Sequence, residues 1–178
     1  RQSLETMNRN QELLFQAAQV LKTTPGELAG RAEQQMQEMK QLRSALEKFK
    51  AQASLGEATQ FLMAAKELGG LKVLTANRSG LDANEMRRMG DFLRDKEPGV
   101  VGVLASVNGE KVSLLAVCGK EAVAKGIKAG DIIKAIAPIV GGRGGGKPDS
   151  AMGGGTELLK IDDALAAVDD FVAGKLGL

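Results

Sequence analysis

The chain has 178 residues, 43% of them hydrophobic, so it is long enough to bury a core and to fold as one modest domain with an appendage. Its formal net charge is only +2, from 24 basic and 22 acidic side chains, which argues against a protein that coats polyanions with its whole surface. Histidine is absent, which removes the commonest acid–base group near neutral pH and nearly all zinc-enzyme ligand sets. The composition therefore predicts a noncatalytic chain that binds no metal and no cofactor.

The single cysteine and the start of the chain bear on its location. Cys118 has no second cysteine with which to form an internal disulfide, which fits a reducing compartment. No stretch approaches 18 uncharged apolar residues, and Arg1-Gln2-Ser3 lacks the hydrophobic segment of a signal peptide, so no membrane association is expected. We expect a cytoplasmic protein, and the absence of an initial Met indicates part of a longer chain.

The chain begins with a predicted amphipathic helix. Apolar or small side chains recur every three or four residues from Leu4 to Leu21, as they do on one face of a helix. The segment Thr24-Pro25-Gly26-Glu27 combines an N-cap threonine with a first-turn proline and a capping-box glutamate. The first helix should therefore end near Thr23, where a second begins.

The second helix carries a heptad pattern from Leu28 to Ala53, and a shorter helical stretch is predicted over 57–68, after Gly56. Residues 1–68 thus read as a coiled-coil-like helical hairpin. Neither helix can bury its apolar stripe alone. Two interpretations stay open: a helical arm that packs within the chain, or a surface through which the chain self-associates.

A globular domain is predicted over 69–178, where short apolar runs replace the long periodic pattern. Asn108-Gly109 favours a two-residue type I′ hairpin, because both positions tolerate positive φ. The expected fold is mixed α/β, with a helical hairpin followed by a small α/β domain that carries a glycine-rich loop. Its predicted elements are strands at 71–76, 100–107 and 111–117 and helices at 82–95, 120–125, 131–140 and 161–175, with a kink or early end at Pro138.

The segment 141–155 contains eight glycines and is predicted to be an irregular loop. Such a loop can adopt positive φ at many positions and leave its amides free to hold a phosphate or a nucleotide edge. Arg143 offers a planar donor fork and Lys147 a point charge, which are complementary ways to hold a phosphate backbone. A flexible linker is the alternative, although linkers are more often rich in serine.

The same run partly matches a phosphate-binding loop. Gly141, Gly146 and Lys147 fit the start of the pattern G-x-x-x-x-G-K-[ST], but Pro148 stands where the magnesium-binding hydroxyl is required. The run also follows a predicted helix instead of a strand. Nucleotide hydrolysis is therefore not expected.

Charge is separated along the C-terminal half of the chain. Residues 120–147 hold six basic and two acidic side chains, whereas residues 149–178 hold six acidic and two basic ones. The basic part suits phosphate contacts, although a solvated helix face explains the lysines before residue 140 equally well. Phenylalanine is the only aromatic type, which favours recognition of folded RNA by shape over stacking of single strands. The candidate contact residues are Gly142, Arg143, Gly144, Gly145, Gly146, Lys147, Lys120, Lys125, Lys128 and Lys134.

The run from Pro138 to Asp149, followed by Ala151-Met152 and three glycines, resembles the C-terminal domain of bacterial alanyl-tRNA synthetases, which is related to the domain that accompanies DHH-type phosphoesterases. The order of the upstream elements is similar, so the resemblance covers nearly the whole chain. It implies a noncatalytic appendage that contacts the outer corner of the tRNA and links aminoacylation with editing. The implied partners are tRNA, in particular alanine tRNA, the catalytic and editing domains of the parent ligase and, through the helical segment, a second copy of the chain.

Two other functions stay open at this point. One is a structural dimerisation module that acts through residues 1–68. The other is an accessory substrate-binding domain of a DHH-type phosphoesterase. The resemblance weighs against the second, because Lys147 stands where the phosphoesterase relatives often carry a histidine.

Overall fold

The structure is a computed structural model that describes residues 2–178, and it divides into two compact units, one ending at Lys50 and one running from Ala51 to Leu178. The structural division thus comes before residue 69, where the sequence places the start of the globular domain. The reason is that the last turns of a long helix pack into the core of the second unit, which includes Ala58. The functional division into 1–68 and 69–178 stays a prediction.

The first unit contains helix α1 (Gln2–Val20), a 3-10 turn (Pro25–Glu27) and the start of helix α2 (Leu28–Met63). Thr24 has the extended backbone of an N-cap, but its hydroxyl donates to the Glu27 carboxylate over 3.4 Å and caps no backbone amide. The expected capping box is therefore not formed. Arg31 instead holds the turn by donating from Nε to the Leu21 carbonyl oxygen over 3.3 Å.

Contacts between α1 and α2 are few among the described residues, and the choice between a helical arm and a self-association surface stays open. The helices do not pack along their lengths, and apolar side chains of the heptad pattern stay exposed, as at Leu42 (71%) and Phe49 (73%). Heptad spacing predicts that a helix face needs a partner, but it does not say which chain supplies that partner.

Helix α2 runs through Gly56 without a break, because a single glycine is tolerated inside a long helix. The helix predicted over 57–68 therefore ends at Met63 and is followed by strand β1 (Lys66–Leu68). Gly69 and Gly70 both have positive φ, at 56° and 80°, and form the turn into strand β2 (Leu71–Asn77). The glycine pair marks a strand turn instead of a helix end.

The second unit is built on a six-stranded mixed sheet, which confirms the mixed α/β fold. Strand β2 and strand β3 (Val100–Asn108) are parallel and are connected by helix α3 (Ala83–Lys96), whereas every other neighbouring pair is antiparallel. The order across the sheet is β1-β2-β3-β4-β6-β5, in which β3 is Val100–Asn108, β4 is Lys111–Cys118, β5 is Arg143–Gly146 and β6 is Ser150–Gly155.

Helices cover both faces of the sheet. Helix α3 (Ala83–Lys96) starts at a capping box between Asp82 and Glu85 and buries Met86, Met89 and Leu93 on one face, together with the end of α2. Helices α5 (Ala129–Ile136) and α6 (Ile161–Leu176) form the core of the other face, and the short helix α4 (Lys120–Ala124) buries Ala122 in that core. Helix α5 passes into a 3-10 turn (Ala137–Val140), as Pro138 predicts. No helix among residues 2–178 is both long and apolar enough to cross a membrane.

The β3–β4 hairpin differs from the predicted type. Asn108 pairs with Lys111 inside the ladder, so the two loop residues are Gly109 and Glu110, and only Gly109 has positive φ. A type I′ turn needs positive φ at both loop positions, so that expectation is wrong. Asn108 has a different role: its side-chain amide donates to the Leu81 carbonyl oxygen over 2.9 Å.

Candidate nucleic-acid interface

The glycine-rich run is a β-hairpin and not the irregular loop that its composition predicts. Strand β5 pairs with β6 in antiparallel register, from Arg143 opposite Gly154 to Gly146 opposite Ala151. Within 141–155 only Gly141 has positive φ, at 71°. The run therefore uses its glycines mainly for their missing Cβ atoms and not for unusual backbone angles. We call β5, β6 and the turn between them, 147–149, the glycine hairpin.

Backbone and side chains approach these glycines too closely to admit a Cβ. A Cβ at Gly142 would lie 1.5 Å from the Gly154 carbonyl oxygen, and one at Gly155 would lie 2.0 Å from the Val140 carbonyl oxygen. A Cβ at Gly144 would lie 2.5 Å from Cγ2 of Ile133, on the buried side of α5. Close packing explains these glycines without a ligand.

Several amides of the run are already engaged. Gly142 donates to the Ala137 carbonyl oxygen over 3.0 Å, and Lys147 donates to the Ser150 carbonyl oxygen over 2.9 Å. The β5–β6 ladder occupies others. The prediction that the glycine content gives an open nest of free amides is therefore wrong. A phosphate could be held by this segment only through its side chains and its exposed strand surface.

The hairpin separates its residues onto two faces. Side chains alternate along a strand, so Gly144 faces Ile133 and the core, whereas Arg143 and Gly145 face the other way. Met152 lies directly opposite Gly145 and is half-buried. Lys147 continues the alternation just past the end of β5, and both cations are exposed. Met152 packs against the core on the α3 side of the sheet. We call this side of the hairpin, with Arg143, Gly145, Lys147 and Met152, the glycine-hairpin face.

Two lysines of the preceding segment lie beside this hairpin. A Cβ at Gly145 would lie 3.7 Å from Cε of Lys134, so the stem of that lysine runs along the edge strand. Lys128 immediately precedes Ala129, whose amide donates to the Pro148 carbonyl oxygen in the hairpin turn over 2.8 Å. None of Lys128, Lys134, Arg143 and Lys147 makes an ion pair within residues 2–178.

The other two candidate lysines have different surroundings. Lys125 donates from Nζ to the Gly69 carbonyl oxygen over 2.6 Å. It therefore holds the β1–β2 turn and is not grouped with Lys128 and Lys134 beside the glycine hairpin. Lys120 is exposed and lines a cavity of about 540 Å³ that also touches Arg94, Cys118 and Asp149. This cavity lies against the hairpin turn, so Lys120 borders the turn at Asp149.

The turn is tied to three other elements. Ala129 at the start of α5 donates to the Pro148 carbonyl oxygen, and Cys118 at the end of β4 donates from its amide to the Asp149 carbonyl oxygen over 3.0 Å. From α3, Nη1 of Arg94 donates to Oδ2 of Asp149 over 2.6 Å. Sequence reasoning missed Arg94, because it precedes its partner by 55 residues and no local pattern links the two.

Cys118 is a buried structural residue. Its side chain is 1% exposed, and burial, helped by the negative charge of Asp149, raises the pKa of the thiol to about 12. A thiol with such a pKa is almost entirely protonated at neutral pH and is a poor nucleophile.

Comparison with known proteins agrees with this fold. Residues 70–174 match the model of the DHHA1 domain family. The chain is 37% identical over 175 residues to an alanine–tRNA ligase of Saccharophagus degradans and 39% identical over 174 residues to one of Methylobacillus flagellatus. In both cases 98% of this chain is aligned, and the chain spans about 20% of the length of the ligase.

A solved structure is similar as well. The crystal structure of the C-Ala domain from Aquifex aeolicus alanyl-tRNA synthetase matches with a TM-score of 0.58 and 25% sequence identity, over 62% of this chain and 98% of that one. The resemblance to the C-terminal domain of alanyl-tRNA synthetases is thus confirmed. Because the DHHA1 model covers more than half of its residues, the chain belongs to the DHHA1 domain family.

Proposed function

We propose that the chain is a noncatalytic tRNA-binding appendage of an alanine–tRNA ligase, and that the glycine-hairpin face contacts the tRNA backbone. The alignment of almost the whole chain with one fifth of such ligases supports a role as one part of a larger synthetase. Its partners are then alanine tRNA and the catalytic and editing domains of the same enzyme. By resemblance, the contact is made at the outer corner of the tRNA.

The observation that carries the proposal is the set of cations beside the glycine hairpin that make no ion pair within residues 2–178. The exposed residues Arg143 and Lys147 flank the half-buried Gly145, and Lys128 and Lys134 lie beside the same hairpin. A charge with no partner in its own protein is free to neutralise a phosphate, which releases counterions and favours binding. The chain's small total charge is therefore compatible with a local polyanion site.

The absence of side chains on the strand adds to this argument. Gly145 adds no side chain of its own between the two cations and is half-buried, with the stem of Lys134 beside it. Contacts from strand backbone and flexible cations to phosphates read shape and backbone position instead of base edges. That matches recognition of a folded corner of tRNA better than recognition of a single-stranded sequence.

A double substitution tests the proposed function. Arg143→Ala with Lys147→Ala is expected to weaken binding of alanine tRNA by roughly 30- to 100-fold and to lower the slope of log affinity against log salt by about 1.5 to 2, because two phosphate contacts are lost. Binding is measured by filter retention or fluorescence anisotropy from 50 to 300 mM salt, about the range where such contacts are screened.

The matched control is Lys160→Ala with Lys175→Ala, which removes two basic residues from the acidic segment 149–178. The control chain has the same net charge as the test chain, so a general charge effect would weaken both equally. We expect the control to bind like the unchanged chain. Undetectable tRNA binding at low salt, or equal loss in the two variants, would contradict the proposal.

A second function, self-association, is favoured by one observation. Large apolar side chains on α1 and α2 are more exposed than is usual on the surface of a soluble monomer, as at Leu14 (49%), Met39 (46%), Leu42 (71%) and Phe49 (73%). We propose that this stripe pairs with the same stripe of a second copy. The heptad spacing between Leu28 and Ala53 suits such a helical interface.

Sedimentation of the full chain tests self-association. Changing Leu42 and Phe49 to Gln is expected to convert dimers into monomers, since each buried large apolar side chain contributes roughly 1.5–3 kcal/mol. Leu159→Gln is the control, because Leu159 is 95% exposed and lies in the second unit. If the unchanged chain sediments as a monomer at micromolar concentration, this second function is wrong.

A further inference from the structure

We infer that Arg94 is a positioning residue for Lys147: its ion pair with Asp149 fixes the turn of the glycine hairpin and so sets where the Lys147 ammonium group stands. This inference rests on the proposed function for its effect on RNA, but the restraint itself is a property of the fold. The residues concerned are Arg94 on α3 and, on the turn, Lys147 and Asp149.

The side-chain tie adds a restraint that the backbone contacts lack. Two hydrogen bonds hold the turn through carbonyl oxygens, from Ala129 to Pro148 and from Cys118 to Asp149. The amide of Lys147 also donates to the Ser150 carbonyl oxygen across the turn over 2.9 Å. None of these bonds involves a side chain, whereas the Arg94 bond over 2.6 Å holds the Asp149 side chain from a third element.

Arg94 is itself held firmly. Its guanidinium also donates from Nη2 to Asp91 one turn earlier on α3, and its side chain is only 24% exposed. Its Nε is buried without a hydrogen-bond partner among the described residues, so the restraint on the guanidinium comes from its two terminal nitrogens. The neighbouring Leu93 is fully buried in the core. A guanidinium seated between two carboxylates on a packed helix is a rigid support for an exposed turn.

Charge repulsion and the proposed restraint predict opposite effects of Asp149 on RNA binding. The aspartate stands beside Lys147 and is half exposed, so it repels RNA phosphates by simple charge. Its removal should then tighten RNA binding. If Asp149 instead holds the turn through Arg94, its removal should weaken binding, because Lys147 loses its fixed position. The sign of the change separates the two roles.

The test uses the full chain with Asp149→Ala and, as a matched control, Glu121→Ala, which removes an exposed acidic residue from the basic segment 120–147. We expect Asp149→Ala to weaken alanine tRNA binding about fivefold to tenfold, as for loss of one phosphate contact, and Glu121→Ala to leave it equal or tighter. Combining Asp149→Ala with Lys147→Ala should give no loss beyond Lys147→Ala alone. Tighter or unchanged binding by Asp149→Ala would overturn the inference.

The tRNA affinities of two Arg94 variants test whether Arg94 acts by positioning the turn and not only by stabilising the fold. Arg94→Lys keeps a charge that can reach Asp149 and should retain part of the affinity, whereas Arg94→Gln should lose as much as Asp149→Ala. All three variants are expected to keep the melting temperature within a few degrees, because the tie is partly exposed. Equal affinity of the Lys and Gln variants would overturn the role of Arg94.

Hydrogen exchange makes the restraint testable without RNA. The amide of Lys147, which donates to the Ser150 carbonyl oxygen, should exchange about tenfold faster in Asp149→Ala than in the unchanged chain, as the turn opens more often. If the unchanged chain does not bind tRNA, the proposed function fails and exchange alone decides the inference. If tRNA binds but exchange at Lys147 is unchanged, only the inference fails.

Discussion

Gly142→Ala is expected to destabilise the second unit by at least about 3 kcal/mol, near or beyond the upper end of the range for overpacked sites. A Cβ at this position would overlap the Gly154 carbonyl oxygen at 1.5 Å and would lie 2.6 Å from Cα of Gly155. Both neighbours are backbone atoms of β6, so no side-chain rotation can relieve the overlap. The strand would have to leave the ladder, and with it β5 would lose its only neighbour in the sheet.

Urea unfolding followed by circular dichroism measures this effect. Gly174→Ala is the control, because no atom lies within 4 Å of a Cβ there and the residue sits in helix α6. That change should stabilise the chain by about 0.5–1 kcal/mol through helix propensity. If Gly142→Ala unfolded at the same urea concentration as the unchanged chain, the close packing described for the hairpin would be wrong.

Ile133→Ala is expected to cost about 3–5 kcal/mol, the upper part of the range for truncation of a large buried side chain. Ile133 is fully buried on α5, and its Cγ2 would be 2.5 Å and 2.8 Å from Cβ atoms placed on Gly144 and Gly153. Glycines have no side chains that could move to fill a cavity. The hole left by the truncation therefore stays open, which raises the cost.

A graded series identifies cavity formation as the cause. Ile133→Val removes one methyl group and should cost only about 0.5–1.5 kcal/mol by the same measurement. A similar cost for Val and Ala would show that the contact of α5 with the hairpin contributes little.

The sequence predicts most of the core elements to within a few residues. Strand 71–76, helix 82–95 and helix 161–175 are observed as Leu71–Asn77, Ala83–Lys96 and Ile161–Leu176. These elements are long enough for the apolar period to show clearly, and their ends carry strong signals, such as Asp82 at the capping box. Such local information needs no knowledge of the neighbours.

The glycine hairpin could not be predicted in this way. Rules of local propensity treat Gly144 and Gly153 as strand breakers, because isolated glycine weakens a strand. In the folded chain these positions must be small, since Ile133 and the facing strand occupy the space of a side chain. That requirement comes from residues eight to twenty positions away along the chain, which rules of local propensity do not take into account.

The charged residues of the candidate interface show the same limit. Arg143 and Lys147 could be selected because their run is unusual, but the separate positions of Lys125 and Lys134 depend on the Gly69 turn and on the packing of α5. Arg94 is reached only through the fold. The unusual composition of the run identifies the hairpin from the sequence, but only the tertiary structure shows which distant cations lie beside it.

The position of β5 at the end of the strand order has a consequence for the behaviour of the chain in concentrated solution. An edge strand in which three of the four residues are glycine is an open template for a strand of another molecule, which is a common route to aggregation. Here the strand has only four residues and an exposed cation at or next to each end. Two copies that approach edge to edge bring these like charges together, and the charges repel. The residues that we propose for RNA contact therefore also hinder pairing of β5 with β5 of a second copy.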